Sequence, residues 1–267
     1  MGMMDLEHPD ILKFINAKTE PGVLTNFNLS VKVGDGFMAK LKANPDKQHV
    51  VINPRTKKSH IIPRSVNVDA YTIDDLLPEG RESRGCYTVR EVWDMVVKNA
   101  HATGEPGICF IDRVNEANPA PHLGRIEATN PCGEQPLLPF ESCTLGSINL
   151  SKFVRKGSTD FCWDSLARVV ALAVRFLDNV VDANCYIIPE IENATVGNRK
   201  IGLGVMGFAD VLVLLGIRYD SDEAVEWASK VAEFIQKHAH QASENLAKEG
   251  RAARIGSLAY LTRGQYQ

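Results

Sequence analysis

The pattern that most limits what this chain can fold into is its mixture of long helical periodicities with a few short, scattered apolar runs. Residues 222–248 place Ala224, Trp227, Val231, Phe234 and Ile235 on one helical face, and residues 166–183 read as a second, strongly apolar helix. A third helix opens at a capping box, Thr88 with Glu91, carries Val89, Val92, Trp93, Val96 and Val97 on one face and stops at Gly104. Shorter helices are predicted over 37–43 and 208–215. Strand patterns are brief: an alternating run over 29–33 and an apolar run over 108–111. Turn formers fill 43–83 (Asn44-Pro45-Asp46, Asn53-Pro54-Arg55, Pro78-Glu79-Gly80), which reads as a surface connection or an insertion. Residues 118–140 are rich in Pro and Gly without periodicity and read as loop. A helix-rich α/β fold follows, with few strands for a closed sheet.

Composition narrows the function classes. With 44% hydrophobic and 24% charged residues the chain is an ordinary globular one, not collagenous or disordered. Thirty Lys and Arg against 33 Asp and Glu leave a net charge of -3, which gives no electrostatic case for nucleic acid or an anionic membrane. Residues 1–10 lack the apolar core of a secretory signal. The most apolar run, 169–181, is interrupted by Arg175, Asp178 and Asn179 and is too short to span a bilayer. The six cysteines form no C-x-x-C pair, so neither a zinc ribbon nor a thioredoxin-type motif is expected. Cys109, Cys162 and Cys185 read as packing residues, and Cys86, beside Arg81, Glu82 and Arg84, as exposed. His238 and His240 are two apart on a helix, point to different faces and cannot clasp one metal. No metal site is expected, and a reducing cytoplasm is the expected compartment.

The chemically unusual segment is Asn130-Pro131-Cys132-Gly133-Glu134-Gln135-Pro136. In an extended loop alternate side chains point the same way, so Asn130, Cys132 and Glu134 would converge on one ligand. Pro131 and Pro136 restrict the backbone, and Gly133 permits close approach. A carboxylate disfavours a neighbouring thiolate, so this thiol suits hydrogen-atom transfer better than polar nucleophilic attack. From spacing alone a buried loop cysteine flanked by turn-stabilising polar residues is the favoured reading, and both readings stay open.

A second motif follows, Glu141-Ser142-Cys143-Thr144-Leu145-Gly146-Ser147-Ile148-Asn149-Leu150. Together the two closely resemble the catalytic subunit of ribonucleotide reductases, most of all the adenosylcobalamin-dependent (class II) branch. Flanking blocks share the resemblance: His8-Pro9-Asp10-Ile11 with Phe14-Ile15, Asn26-Phe27-Asn28-Leu29-Ser30-Val31, Pro106-Gly107 with Phe110-Ile111-Asp112-Arg113 and Asn115, and Lys200 through Asp210. The resemblance implies part of a ten-stranded α/β barrel, with 130–136 on its central finger loop. It makes the whole of 1–267 one partial catalytic barrel domain: 1–42 with the specificity-effector loop, 43–87 the turn-rich connection, and 88–267 the finger loop and barrel helices. The implied reaction is reduction of ribonucleotides to 2′-deoxyribonucleotides. Cys132 matches the cysteine that becomes a thiyl radical and abstracts the 3′ hydrogen. Glu134 matches the carboxylate that takes the 3′-hydroxyl proton, and Asn130 the amide that orients the sugar hydroxyls. Cys143 matches one of two redox cysteines that deliver two electrons as the 2′-hydroxyl leaves as water. Also implied are adenosylcobalamin, bound mainly by parts outside this chain, a deoxynucleotide effector, a thioredoxin-type reductant and a homodimer. Residues 17–26 occupy the effector loop, with Lys18 and Asn26 as candidate contacts, and a plain surface turn fits each equally well.

Two alternatives accompany this reading. The family's second redox cysteine belongs upstream of the matching blocks, where only 1–7 stand, and its Pro-Thr-Gly-Thr phosphate motif belongs after the last helix, where 256–267 do not carry it. The chain thus reads as a central fragment, and a truncated, non-catalytic remnant that binds nucleotide or a partner is the alternative. A weaker one, an NAD-dependent oxidoreductase, rests on Gly202-x-Gly204-x-x-Gly207 with Asp220 beyond. The polar residues 193–200 do not read as the buried strand that this fingerprint needs, so the glycines read as a close-packed helix entry.

Overall fold

The structure, a computed structural model, describes residues 1–80 and 85–251. Arg81, Glu82 and Arg84, the charged residues near Cys86 in the chain, and 256–267, where the family's phosphate motif would fall, lie outside the described residues. The chain divides into two compact units, Met1–Asn118 with Arg125–Leu138, and Pro119–Gly124 with the residues from Pro139 onward.

The first unit begins with β1 (Gly2–Asp5), α1 (Ile11–Asn16) and β2 (Leu29–Val33). β1 and β2 are parallel, Gly2 opposite Leu29 through Asp5 opposite Lys32, because a helix-containing crossover returns the chain in the same direction. The alternation over 29–33 appears as buried Leu29, Val31 and Val33 around half-buried Ser30 and Lys32. α2 (Asp35–Ala43) follows, then β3 (Val50–Ile52), β4 (Ser59–Ile61) and β5 (Leu77–Pro78), an antiparallel meander. α3 (Val89–Thr103) leads to β6 (Gly107–Phe110), which pairs parallel with β2 and sets the order β1-β2-β6. α4 (Ile111–Glu116) and the hairpin β7 (Ala128–Thr129) with β8 (Pro136–Leu137) complete the unit.

Residues 43–83 are more than a surface connection. Val51, Ile62, Tyr71 and Leu76 join Leu12, Val31, Phe37 and Val92 in one core. The Tyr71 hydroxyl donates to the Pro9 carbonyl at 2.6 Å and accepts from the Leu12 N–H at 3.2 Å. His49 is buried, with Nε2 2.8 Å from the Leu6 carbonyl oxygen, and burial pushes its pKa down to about 4. Each short strand or turn here buries one or two side chains, so no periodicity marks the segment as core.

The capping box of α3 forms as expected: the Glu91 N–H donates to Thr88 Oγ1 at 3.2 Å and the Thr88 N–H to Glu91 Oε2 at 2.7 Å. Gly104 ends the helix in the left-handed region. Val89, Val92 and Val96 are buried, but Val97 is exposed. It lies about 100° round from Val96. Asn99 takes the inward place instead, its amide donating to the Ile15 carbonyl at 3.0 Å.

In the second unit β9 (Thr144–Asn149) and β10 (Ile201–Met206) pair in parallel, Thr144 opposite Ile201 through Asn149 opposite Met206. Between them run α5 (Trp163–Ala183) and α6 (Pro189–Asn198), and after them α7 (Phe208–Leu215) and α8 (Asp222–Leu246). Leu166, Val170, Val231 and Ile235 share a core with Ile148 and Leu150, while Trp227 and Phe234 pack half-buried in an aromatic cluster with Phe161 and Trp163. α5 also exposes Leu172 and Phe176, at 66% and 64%, so apolar side chains reach onto its outer face. Two cysteines reverse the expectation: Cys86 is buried and Cys185 exposed. Among the described residues the strands form four separate sheets, none closed.

Candidate active-site loop and thiol strand

Asn130, Pro131, Cys132, Gly133 and Glu134 share one turn at the tip of the β7–β8 hairpin in the first unit. The turn is tight rather than extended. Gly133 has φ +80°, and its N–H donates to the Asn130 carbonyl at 3.0 Å. A left-handed residue interrupts the alternation of an extended chain, so the spacing argument for convergence does not describe this backbone. Cys132 is not the buried loop cysteine that the spacing also allowed: it is exposed, as are Pro131, Gly133 and Glu134. Asn130 is half-buried, and its Oδ1 accepts the Gln135 N–H at 3.0 Å, closing the neck of the turn. Its amide nitrogen is the end of the side chain that remains to address a ligand.

Cys143 belongs to the second unit. It is half-buried immediately ahead of β9, with Sγ 3.5 Å from the Thr144 carbonyl oxygen. The residues before it are tied to α6 and to the start of β10. Glu141, its side chain only 1% exposed, accepts from Lys200 Nζ at 2.6 Å and from Asn198 Nδ2 at 2.8 Å. Ser142 Oγ lies 2.7 Å from Thr195 Oγ1. Arg199, left-handed at φ 50°, donates to Asp178 Oδ1 and Asp182 Oδ1, each at 2.6 Å. These two carboxylates raise its pKa despite burial. Sequence reasoning quoted Glu141 and Lys200 inside motifs but did not pair them, because their partnership is set across 59 residues of chain.

Lys18 is used within the chain. It donates to the Phe27 carbonyl at 2.8 Å and pairs with Glu105. Asn26 is exposed. Gly202 and Gly204 lie inside β10, opposite Leu145 and Ser147, so they do not build a phosphate-binding turn. Only Gly207 stands at the entry of α7, at φ +71°, where an added Cβ would meet Asn149 Oδ1 at 2.5 Å. His238 is half-buried with its ring 4.3 Å from that of Phe234, and His240 is exposed. Among the described residues no three His, Cys, Asp or Glu side chains gather to hold a metal ion, and no helix is long and apolar enough to cross a membrane.

Residues 1–255 match the barrel domain of ribonucleotide reductase. Vitamin B12-dependent ribonucleoside-diphosphate reductases of Mycobacterium tuberculosis and Thermoplasma acidophilum are each 47% identical over 93% of the chain, and the match covers 32% and 29% of them respectively. The chain thus spans about a third of these relatives' length. The ribonucleoside-diphosphate reductase subunit alpha of Chlamydia pneumoniae is 41% identical over 59% of the chain and 15% of its own length. Among solved structures, the alpha subunit of the Actinobacillus ureae class Id ribonucleotide reductase superposes with a TM-score of 0.65 over 96% of this chain and 42% of that one. At 22% identity, that likeness speaks for the fold.

Proposed function

Because the chain belongs to the ribonucleotide reductase family, within its barrel domain, we propose that it carries the substrate-radical loop of a vitamin B12-dependent ribonucleoside-diphosphate reductase. The single observation that carries this reading is the exposed Cys132 thiol at a hairpin tip, with the Glu134 carboxylate two residues on and the half-buried Asn130 at its neck. The diphosphate follows the names of the relatives most like this chain.

A thiol that must gain and lose a hydrogen atom needs access from outside, and the exposed turn supplies it. That exposure fits a radical-generating cofactor held by other parts of the enzyme; when bound, adenosylcobalamin supplies the radical. Cys132 gives up its hydrogen atom, then takes the 3′ hydrogen of the ribose. Glu134 removes the 3′-hydroxyl proton, a task that needs reach to the substrate oxygen. Asn130 directs its amide nitrogen at the sugar. The 2′-hydroxyl leaves as water while two thiols, Cys143 and a second cysteine, become a disulfide, and Cys132 returns the hydrogen to C3′. A deoxynucleotide effector, a thioredoxin-type reductant, a homodimer and a cytoplasmic setting belong to the same proposal. Lys18 is held by Glu105 and Phe27, which leaves the exposed Asn26 as the more available of the two candidate effector contacts.

The test is deoxynucleoside diphosphate formation with this segment in place in an intact B12-dependent reductase. Cys132→Ser abolishes product. Retained turnover would overturn the assignment.

A further inference from the structure

The hairpin that carries Cys132 is too slight to aim itself. β7 and β8 pair at only two positions, Ala128 with Leu137 and Thr129 with Pro136, and Pro136 has no N–H to give. A cavity of about 540 Å³ opens along the preceding chain, lined by Lys32, Asp112, Arg125, Ile126 and Glu127, so packing does not fill that side. Something else must fix the direction of the tip.

Asn115, in the last turn of α4, grips the root at both backbone groups of one residue. Its Oδ1 accepts the Ile126 N–H at 2.8 Å, and its Nδ2 donates to the Ile126 carbonyl at 3.0 Å. The same Nδ2 donates to the Ile111 carbonyl at 2.9 Å, which fixes the amide on its own helix. The side chain thus does the work of a missing strand neighbour for Ile126. One residue on, Glu127 Oε2 accepts from Lys32 Nζ at 3.1 Å, and Lys32 also meets Asp5 at 3.2 Å. Lys32 is mostly shielded and sits on β2 between Asp5 of β1 and Cys109 of β6. The root is therefore fastened to both the helix and the sheet of the same unit, while the exposed Arg125–Asp112 pair contributes little.

We infer that Asn115 and Lys32 are positioning residues for the radical loop: they touch no substrate but set where Cys132 points. The inference rests on the proposed role of Cys132 above. Its test uses Asn115→Asp, which keeps the acceptor for Ile126 N–H but turns an oxygen toward two carbonyls, and Lys32→Met, which keeps the stem and drops the charge.

Amide hydrogen exchange on the chain reads the hinge. Both variants are expected to speed exchange in residues 126–137 while β1 and β2 keep their protection. Placed in an intact B12-dependent reductase, Asn115→Asp is expected to lower kcat by about 100-fold, the order that a misplacement of about 1 Å costs, with KM unchanged. Unchanged exchange and kcat in both variants, with Cys132→Ser still inactive, would overturn the inference and leave the loop's role standing. Loss of protection throughout the first unit in both variants would overturn it as well, since the residues would then hold the fold and not the loop. Activity in Cys132→Ser would sink the underlying reading first.

Discussion

The two thiol-bearing regions are built in opposite ways. Cys132 stands exposed on a turn closed by a left-handed glycine and one asparagine side chain. Cys143 stands half-buried immediately ahead of a six-residue parallel strand, behind a carboxylate that is sealed from water and paired with a lysine. One thiol stands open on a turn; the other is half-buried beside a paired strand. The difference teaches that openness and anchorage are separate requirements. In the first region, anchorage is moved back to the root of the hairpin, where Asn115 and Lys32 act.

The largest expected effect breaks the second region. Lys200→Met takes the lysine away from the buried Glu141 carboxylate, and removing one partner of such a pair costs about 3–5 kcal/mol. Urea unfolding followed by tryptophan fluorescence checks it, since two of the three tryptophans, Trp163 and Trp227, lie in the second unit. A double Glu141→Leu, Lys200→Leu variant is expected to recover most of the loss, because apolar replacements of buried pairs are close to neutral. A loss below about 1 kcal/mol in Lys200→Met would put this pair with surface ion pairs and erase the contrast.

Next comes the scaffold of the first region. His49 has a pKa of about 4 when folded against 6.5 as the ordinary value, so the unfolded chain binds the extra proton between those limits. Stability from this group is complete above pH 6.5 and is lost as pH falls toward 4, by roughly 3 kcal/mol. Denaturant titrations at a series of pH values measure the slope, and His49→Gln flattens it. An unaltered slope in that variant would assign the acid sensitivity elsewhere.

The smallest effect tests the tip itself. At Gly133 an added Cβ meets nothing within 4 Å, so Gly133→Ala costs only the left-handed backbone, about 1 kcal/mol. Thermal melts give that figure, and hydrogen exchange at Gln135 should accelerate with it. A cost of several kcal/mol would mean that the tip is anchored more firmly than its exposure indicates.

Much of the helical framework was legible because it is periodic. The face of α8, the capping box of α3 and the end of that helix at Gly104 are local, and each appears where the residues put it. β1, β9 and β10 were not legible, since parallel strands take their definition from a neighbour far along the chain. The core role of 43–83 was hidden for a related reason: Val51, Ile62, Tyr71 and Leu76 are apolar singletons whose common destination is tertiary. At the site, the residue types were legible in 130–136 and 141–143, but the backbone was misread as extended. The positive φ of Gly133 is permitted by its lack of a Cβ, not demanded by it.

By itself, then, the sequence determined the α/β character, the family and the thiol, carboxylate and amide that stand together on one loop. These are matters of periodicity and of residues adjacent in the chain. Only the tertiary structure decided that Cys132 is exposed while Cys86 is buried, that Glu141 finds Lys200, and that Asn115 holds Ile126. Burial and pairing depend on which distant segments arrive at the same place, and no local pattern records that arrival.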